Sequence, residues 1–232
     1  MKVVTSSQFD NGYEFDAEEV LEATNPEYRE FLKEAGYVDL KKTPNLFVAS
    51  KVLRIDYRVI EAGRGMLYGG DGDILYKDMG CVVYINHKKI LRLINNLGGR
   101  VLTTALMYKL FIPYLKQSAE NGNEEAKASL DEMTEIKAEW LEDRILGKTR
   151  FKIRNAERRI TLLDKGGYFD ISDLNEYGYP TSVKGQGEFY YRFRERTNIV
   201  AVREGYDGEL GLSWWSPGPI PYLGVRFAKF FK

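Results

Sequence analysis

The spacing of apolar residues changes twice along this chain, and the changes limit the folds open to it. Leu46 to Ile60 alternates (Phe47, Ala49, Lys51, Leu53, Ile55, Tyr57 and Val59 share one side), the period of a half-buried strand. His87 to Asn96 repeats Ile90, Leu91, Leu93, Ile94 and then Leu97 at helical spacing, and stops at Gly98-Gly99. Val101 to Gln117 is apolar on nearly every side, which predicts a central buried helix kinked or ended at Pro113. Asn123 to Leu146 reads as a long amphipathic helix closed by Gly147, with Ala126, Leu130, Met133, Ile136, Trp140 and Leu141 inward. After Gly147 the period returns to two: Thr149, Phe151 and Ile153 alternate with Lys148, Arg150, Lys152 and Arg154, and Ile160 to Leu163 continues the pattern. Strands, then helices, then strands argue for an α+β fold rather than repeating βαβ units.

Turn chemistry punctuates this order. Asn25-Pro26 places an N-cap and a first-turn proline ahead of a helix from Glu27 to Ala35, with Gly36 as its stop. Gly63 to Gly72 holds five glycines in ten residues and predicts a loop or chain of turns. Cys81 to Ile85 reads as a short strand. With 232 residues, 44% of them hydrophobic, the chain has apolar material for one sizeable core or two small ones.

Composition removes several classes of function. Thirty-four basic residues balance thirty-four acidic ones, so no global field favours nucleic acid or an anionic membrane. A single cysteine, Cys81, rules out an intrachain disulfide and reads as a buried core thiol. Sites built from several histidines or cysteines are excluded, because His87 is the lone histidine; beside Lys88 and Lys89 at a helix start, it reads as a solvated terminal residue. No run of eighteen apolar residues is present and the amino end lacks a signal-peptide core, so the expectation is a chain that is cytoplasmic or surface-attached through a partner, without membrane insertion.

The remaining motifs are weak. Gly147-Lys148-Thr149 resembles the end of a phosphate loop, but Glu142 stands where a glycine is needed and the stretch ends a helix instead of opening one. Asp71-Gly72-Asp73 lacks the later ligands of a calcium loop and reads as an acidic turn. Asp131, Glu132, Glu135, Glu139, Glu142 and Asp143 fit a solvated helix face better than paired acid–base groups. The basic alternation from Lys148 to Arg159 suits phosphate contacts or an aggregation-blocking strand edge equally well.

The tail carries more. Gly167-Tyr168-Phe169-Asp170-Ile171-Ser172-Asp173-Leu174-Asn175-Glu176-Tyr177-Gly178-Tyr179-Pro180 is rich in turns and aromatics, and Gly187-Glu188-Phe189-Tyr190-Tyr191 and Val200-Ala201-Val202-Arg203 follow as strands. Glu204 to Tyr222 reads as a long aperiodic loop bearing Tyr206, Trp214, Trp215 and Tyr222, before a last strand at Leu223-Gly224-Val225-Arg226-Phe227-Ala228. A long loop pinned between strands is a common functional device; the pattern equally permits one that folds back over its own aromatics.

These segments, taken in order, resemble the variable proteins of diversity-generating retroelements, most of all their archaeal branch, and Ala138-Glu139-Trp140-Leu141-Glu142 is similar to an upstream stretch of that family. The likeness covers roughly residues 135–232. It implies a single C-type lectin-like domain over 1–232, with short antiparallel strands and two to four helices. Residues 1–147 would supply scaffold strands and helices, and 148–232 the strand- and loop-rich part, with a variable ligand-binding region at about 200–223. The resemblance further implies a non-enzymatic protein without cofactors, whose varied side chains meet an external protein or cell-surface ligand. In such a system reverse transcription rewrites adenines, so codons of the adenine-adenine-pyrimidine type vary. These cannot yield Trp, Glu, Lys, Gln or Met. Val202, Tyr206, Asp207, Gly208, Ser213, Ser216, Ile220 and Tyr222 are compatible with such codons, while Glu204, Trp214 and Trp215 join the surface as residues that are either fixed or encoded by codons with other bases, the two tryptophans as candidate anchors. In the closing strand Val225 and Ala228 read as structural, and the planar fork of Arg226 as reaching a carboxylate or carbonyls inside the fold. The lone cysteine departs from the paired thiols of the related formylglycine-generating enzymes, and the sugar-binding motifs of calcium-dependent lectins are missing. An enzyme on that scaffold, or a nucleic-acid binder using 148–159, are the alternatives.

Overall fold

The computed structural model describes residues 9–55, 76–77, 81–82, 87–135, 138–192, 199–204, 209–215 and 223–232. Within them the chain is α+β: one mixed sheet with helices on both of its faces.

The sheet is organised around the last strand. Leu223–Phe231 (strand β13) lies antiparallel to Asn45–Ile55 (β2), with Leu223 opposite Ile55 and Phe231 opposite Asn45. On its other side β13 runs parallel to Ala138–Ile145 (β6), which pairs with Ile199–Glu204 (β11). Beyond β11 come Leu210–Trp215 (β12), Phe189–Arg192 (β10) and Gly167–Phe169 (β9). At the other side β2 carries Cys81–Val82 (β4), then Tyr76–Lys77 (β3). Gly12–Phe15 (β1) adds to β2 and Arg100–Val101 (β5) to β13, while Arg150–Ile153 (β7) and Ala156–Arg159 (β8) form a hairpin on the end of β6. Three of the pairings are parallel, β10 with β12, β13 with β6 and β2 with β4, so the sheet is mixed rather than made of short antiparallel strands.

Among the described residues five helices, not two to four, cover the sheet. Ala17–Ala23 (α1) starts with a capping box in which Asp16 accepts from Glu19 N and the Glu19 carboxylate accepts from Asp16 N. Pro26–Glu34 (α2) has Asn25 as N-cap, accepting from Tyr28 N at 2.8 Å, and stops before Gly36 at φ 63°, as expected from the sequence. His87–Asn96 (α3) ends at Gly98, φ 77°. The buried helix expected over 101–117 is present as Thr104–Leu106, a π-helical turn at Met107–Phe111 and Ile112–Glu120, together α4. Pro113 stands in the first turn of the last segment, where its missing N–H is tolerated. Glu124–Glu135 is α5.

The expected helix to Leu146 therefore stops at Glu135, and β6 follows. Seven of the eight residues of β6 are buried, which no one-sided amphipathic helix would permit. Alternate residues of the central strands feed two cores. Val200, Val202, Leu141 and Leu212 face the core roofed by α1, α2, α4 and α5, whereas Ile199, Ala201, Trp140, Val225 and Phe227 face Ile90 and Ile94 of α3. A strand buried on both faces needs its charges paired internally.

Candidate functional site

The segment expected as one aperiodic loop from Glu204 to Tyr222 contains a strand. Leu210, Gly211, Leu212 and Ser213 alternate in the manner of a strand, and β12 pairs with β11 over six positions, from Ile199 opposite Trp215 to Glu204 opposite Leu210. Gly211 leaves its neighbour close: a Cβ there would stand 2.7 Å from the Tyr190 carbonyl oxygen.

This hairpin redistributes the anticipated surface. Val202 and Ser213, expected on an exposed face, are both buried, Val202 in the helix-roofed core and Ser213 in register with Ala201. Neither side chain is available to an outside ligand. Glu204 closes β11, and Trp214 and Trp215 lie on β12 instead of in a loop. Tyr206, Asp207, Gly208, Ser216, Ile220 and Tyr222 lie outside the described residues.

The strand ends that flank those residues are described. Glu204 and Leu210 end the hairpin beside Ala138, where β6 begins; Leu223 also stands opposite Ala138 and Ile55. Val82 is level with Ile55. One end of the sheet thus gathers the ends of β2, β4 and β11 and the starts of β6, β12 and β13. Trp215 stands at the other end, with Ile199 and Arg144.

Strand β6 holds three carboxylates that the sequence placed on a solvated helix face, Glu139 near these strand ends and Glu142 and Asp143 next to Arg144, towards the opposite end. Glu139 forms a two-pronged ion pair with Arg226, Nε to Oε1 at 3.1 Å and Nη2 to Oε2 at 3.2 Å. Arg226 also donates to the Ala49 and Ser50 carbonyls and packs over the Phe111 ring, 5.1 Å from its centroid, which bears out the inward role expected for it. Burial pushes the Glu139 carboxyl up, and Arg226 opposes that push. Glu142 meets the guanidinium of Arg154 at 3.4 Å and is likewise raised by burial. Asp143 accepts from Thr104 N at 2.8 Å and from the Tyr179 hydroxyl at 3.1 Å. Lacking a cation, it is raised by burial to about 7.

His87 is another correction. It is buried, not solvated: its Nε2–H donates to the Leu141 carbonyl at 2.7 Å and its ring meets Trp140 edge-on, with centroids 5.6 Å apart. Burial lowers its pKa to about 4, so the ring is neutral at pH 7. A neutral imidazole sealed against a carbonyl is a packing group, without access to a substrate proton.

The basic stretch is largely spent within the protein. Lys148 pairs with Asp164, Arg150 with Glu157, Arg154 with Glu142 and Arg158 with Glu34, and Arg158 also lies over the Phe31 ring. Among the described residues, no group of three His, Cys, Asp or Glu side chains is placed to hold a metal, and no helix is long and apolar enough to cross a membrane. The described residues include an open groove of about 810 Å³ beside Arg150 and Arg159 and another of about 760 Å³ beside Leu21 and Lys109. Neither is lined by His87 or by the β11–β12 hairpin. The sequence reading passed over Lys109, although it is the one charged residue between Arg100 and Lys116.

Ser213 supplies a simple check on the hairpin. Its Oγ is buried and has no hydrogen-bond partner. Ser213→Ala is expected to leave stability unchanged or raise it by about 1 kcal/mol, read from the urea midpoint, because no bond is lost and a desolvated hydroxyl is removed. A loss above about 1 kcal/mol would show the hydroxyl to be bonded.

No family model, curated protein or solved structure matches this chain.

Proposed function

We propose that this protein is a ligand-binding display protein with a C-type lectin-type domain, whose carboxyl-terminal region is diversified by a retroelement. The reading rests on the resemblance of the tail and on one structural observation. The strands flanking the candidate variable residues are fixed by groups outside that set. Val200, Ala201 and Leu212 are buried in the two cores, and Arg226 is tied to Glu139, Ala49 and Ser50. A framework held this way tolerates exchange of the side chains it carries at its ends.

The strand register refines the surface. Tyr206, Asp207 and Gly208 are flanked by Glu204 and Leu210, and Tyr222 directly precedes Leu223, at the same end of the sheet. We place the ligand face at that end, with Glu204 beside it. Ser216 follows Trp215 at the opposite end, and Val202 and Ser213 belong to the interior. The ligand would be an external protein or cell-surface molecule. Nucleic acid is the poorer alternative, since four cations of the 148–159 stretch already face carboxylates.

Two measurements test this. Combined replacement of Tyr206, Asp207 and Tyr222 by serine should shift the thermal midpoint by less than about 3 °C, whereas Val202→Ser alone should lower it by about 10 °C or more. In the encoding genome, a near-copy of the codons for residues 200–230 should lie beside a reverse-transcriptase gene and differ only at adenines. Unfolding of the triple variant, or a genome without that repeat, would overturn the proposal.

A further inference from the structure

The groove beside Lys109 is built by α1, the start of α2, α4 and the turn at 171–174. Its walls are mixed, somewhat more polar than apolar, and Leu21, Leu110, Pro113, Tyr114, Ile171 and Leu174 supply the apolar part. Leu21 is the single large hydrophobic side chain among the described residues that is exposed, at 42%. Soluble surfaces tolerate isolated apolar side chains, but here the exposed leucine forms part of a concave wall, the arrangement of a ligand pocket.

Into this wall the fold inserts a cation. Lys109 is the middle residue of the π-helical turn Met107–Phe111, and its side chain is half-buried. Such turns, which carry one residue more than an α-helical turn, recur at functional sites. No carboxylate lies within ion-pair distance of Lys109, and its ammonium has no hydrogen-bond acceptor among the described residues. Glu176 acts on it only from farther away, and burial lowers its pKa. Glu19, Glu22 and Arg29 also line the groove. Arg29 donates to the Leu21 and Thr24 carbonyls, Glu19 caps the Asp16 N–H, and Glu22 is exposed. A half-buried cation without an ion-pair partner among the described residues, set in a wall that is apolar in part, is a complement to an anion.

We propose that this groove binds a small carboxylic acid with an apolar body of amino-acid size, its carboxylate on the Lys109 ammonium and its body against Leu21 and Tyr114. Charge complementarity to Lys109 selects the acid, and the apolar part of the wall, Leu21, Leu110 and Tyr114, selects an aryl or branched alkyl body. The site shares no residue with the proposed display surface and stands or falls independently of it.

The test is titration with 3-phenylpropionate and with its uncharged analogue 3-phenylpropanamide, followed by calorimetry and by NMR shifts of the Lys109 Cε and Leu21 methyl signals. The acid is expected to saturate below about 10 mM, to move both sets of signals, and to bind at least about tenfold more tightly than the amide. Lys109→Met should cost the acid about tenfold and leave the amide unchanged; Leu21→Ser should weaken both. Lys109→Gln, which keeps a polar end on the exposed part of the side chain, repeats the comparison if the methionine variant misfolds. Equal binding of acid and amide, no saturation by about 10 mM, or shifts confined to other residues would each overturn the assignment.

Discussion

Arg226→Met is expected to destabilise the protein by about 3–5 kcal/mol, the largest effect of any single substitution considered, with the loss read from chemical denaturation. The side chain is fully buried and serves several acceptors at once: the two Glu139 oxygens and the carbonyls of Ala49 and Ser50. Removing it strands a carboxylate and two carbonyls in a dry interior, and that desolvation outweighs the modest net value of the bonds themselves. The double variant Arg226→Met, Glu139→Leu should recover at least about 1 kcal/mol of the loss, because the orphaned charge goes with its partner. A single variant within about 1 kcal/mol of the parent would falsify the account. The pair also lies where β13, β2 and β6 meet, next to the bulge between Arg226 and Ala228, so it fixes the register of three strands together.

The second large effect is a dependence on pH that the parent protein conceals. Asp143 is raised from 3.8 to about 7, so the folded chain keeps a proton that the unfolded chain releases. Its contribution to stability is complete at low pH and is lost as the pH rises from about 4 to about 7, on the order of 3–4 kcal/mol in all. His87 behaves in the opposite sense. Its folded pKa of about 4 lies below the ordinary 6.5, so its contribution is complete above 6.5 and lost as the pH falls towards 4. Across that shared window the two slopes oppose each other, and Asp143 and His87 together leave stability nearly level. Asp143→Asn should expose the histidine. Its amide oxygen can accept from Thr104 N and its amide N–H₂ can donate to the Tyr179 hydroxyl, so the contacts survive without the charge. We expect the variant to be more stable than the parent at pH 8 by on the order of 2–4 kcal/mol, and to lose stability steadily from pH 6.5 to 4.5. Parallel profiles for parent and variant, measured as urea midpoints across that range, would contradict the assignment.

Much of the local structure was legible in the sequence, because local geometry has local causes. Asn25 and Pro26 start a helix through a bond to Tyr28 N, and Gly36 and Gly98 stand at positive φ where helix stops were expected, whereas Gly147, also at positive φ, follows a strand and not the expected helix. The inward role of Arg226 was likewise legible, through the tail's resemblance and the shape of a guanidinium. What failed was any inference from charge to exposure. Glu139, Glu142 and Asp143 look like the wet side of a helix because their partners, Arg226, Arg154 and Tyr179, are remote or lie on another element. Once those partners are known, Ala138 to Ile145 is a doubly buried strand whose three carboxylates each have a partner. The same blindness misplaced His87, whose acceptor is a main-chain carbonyl that carries no mark in the side-chain sequence. The candidate site was partly readable. Leu210 and Leu212 alternate with Gly211 and Ser213, a short period-two signal obscured by the aromatics and glycines around it.

The position of β13 has a consequence for how the molecule comes into being. It follows both β2 and β6 in the chain, yet it occupies the seam between them, and among the described residues those two strands share no other partner. Before β13 docks, both have an open edge and Glu139 lacks the guanidinium of Arg226, so closing the sheet between them is one non-local step. Such long-range pairing is slow to form and leaves strand edges open to self-association until it is complete.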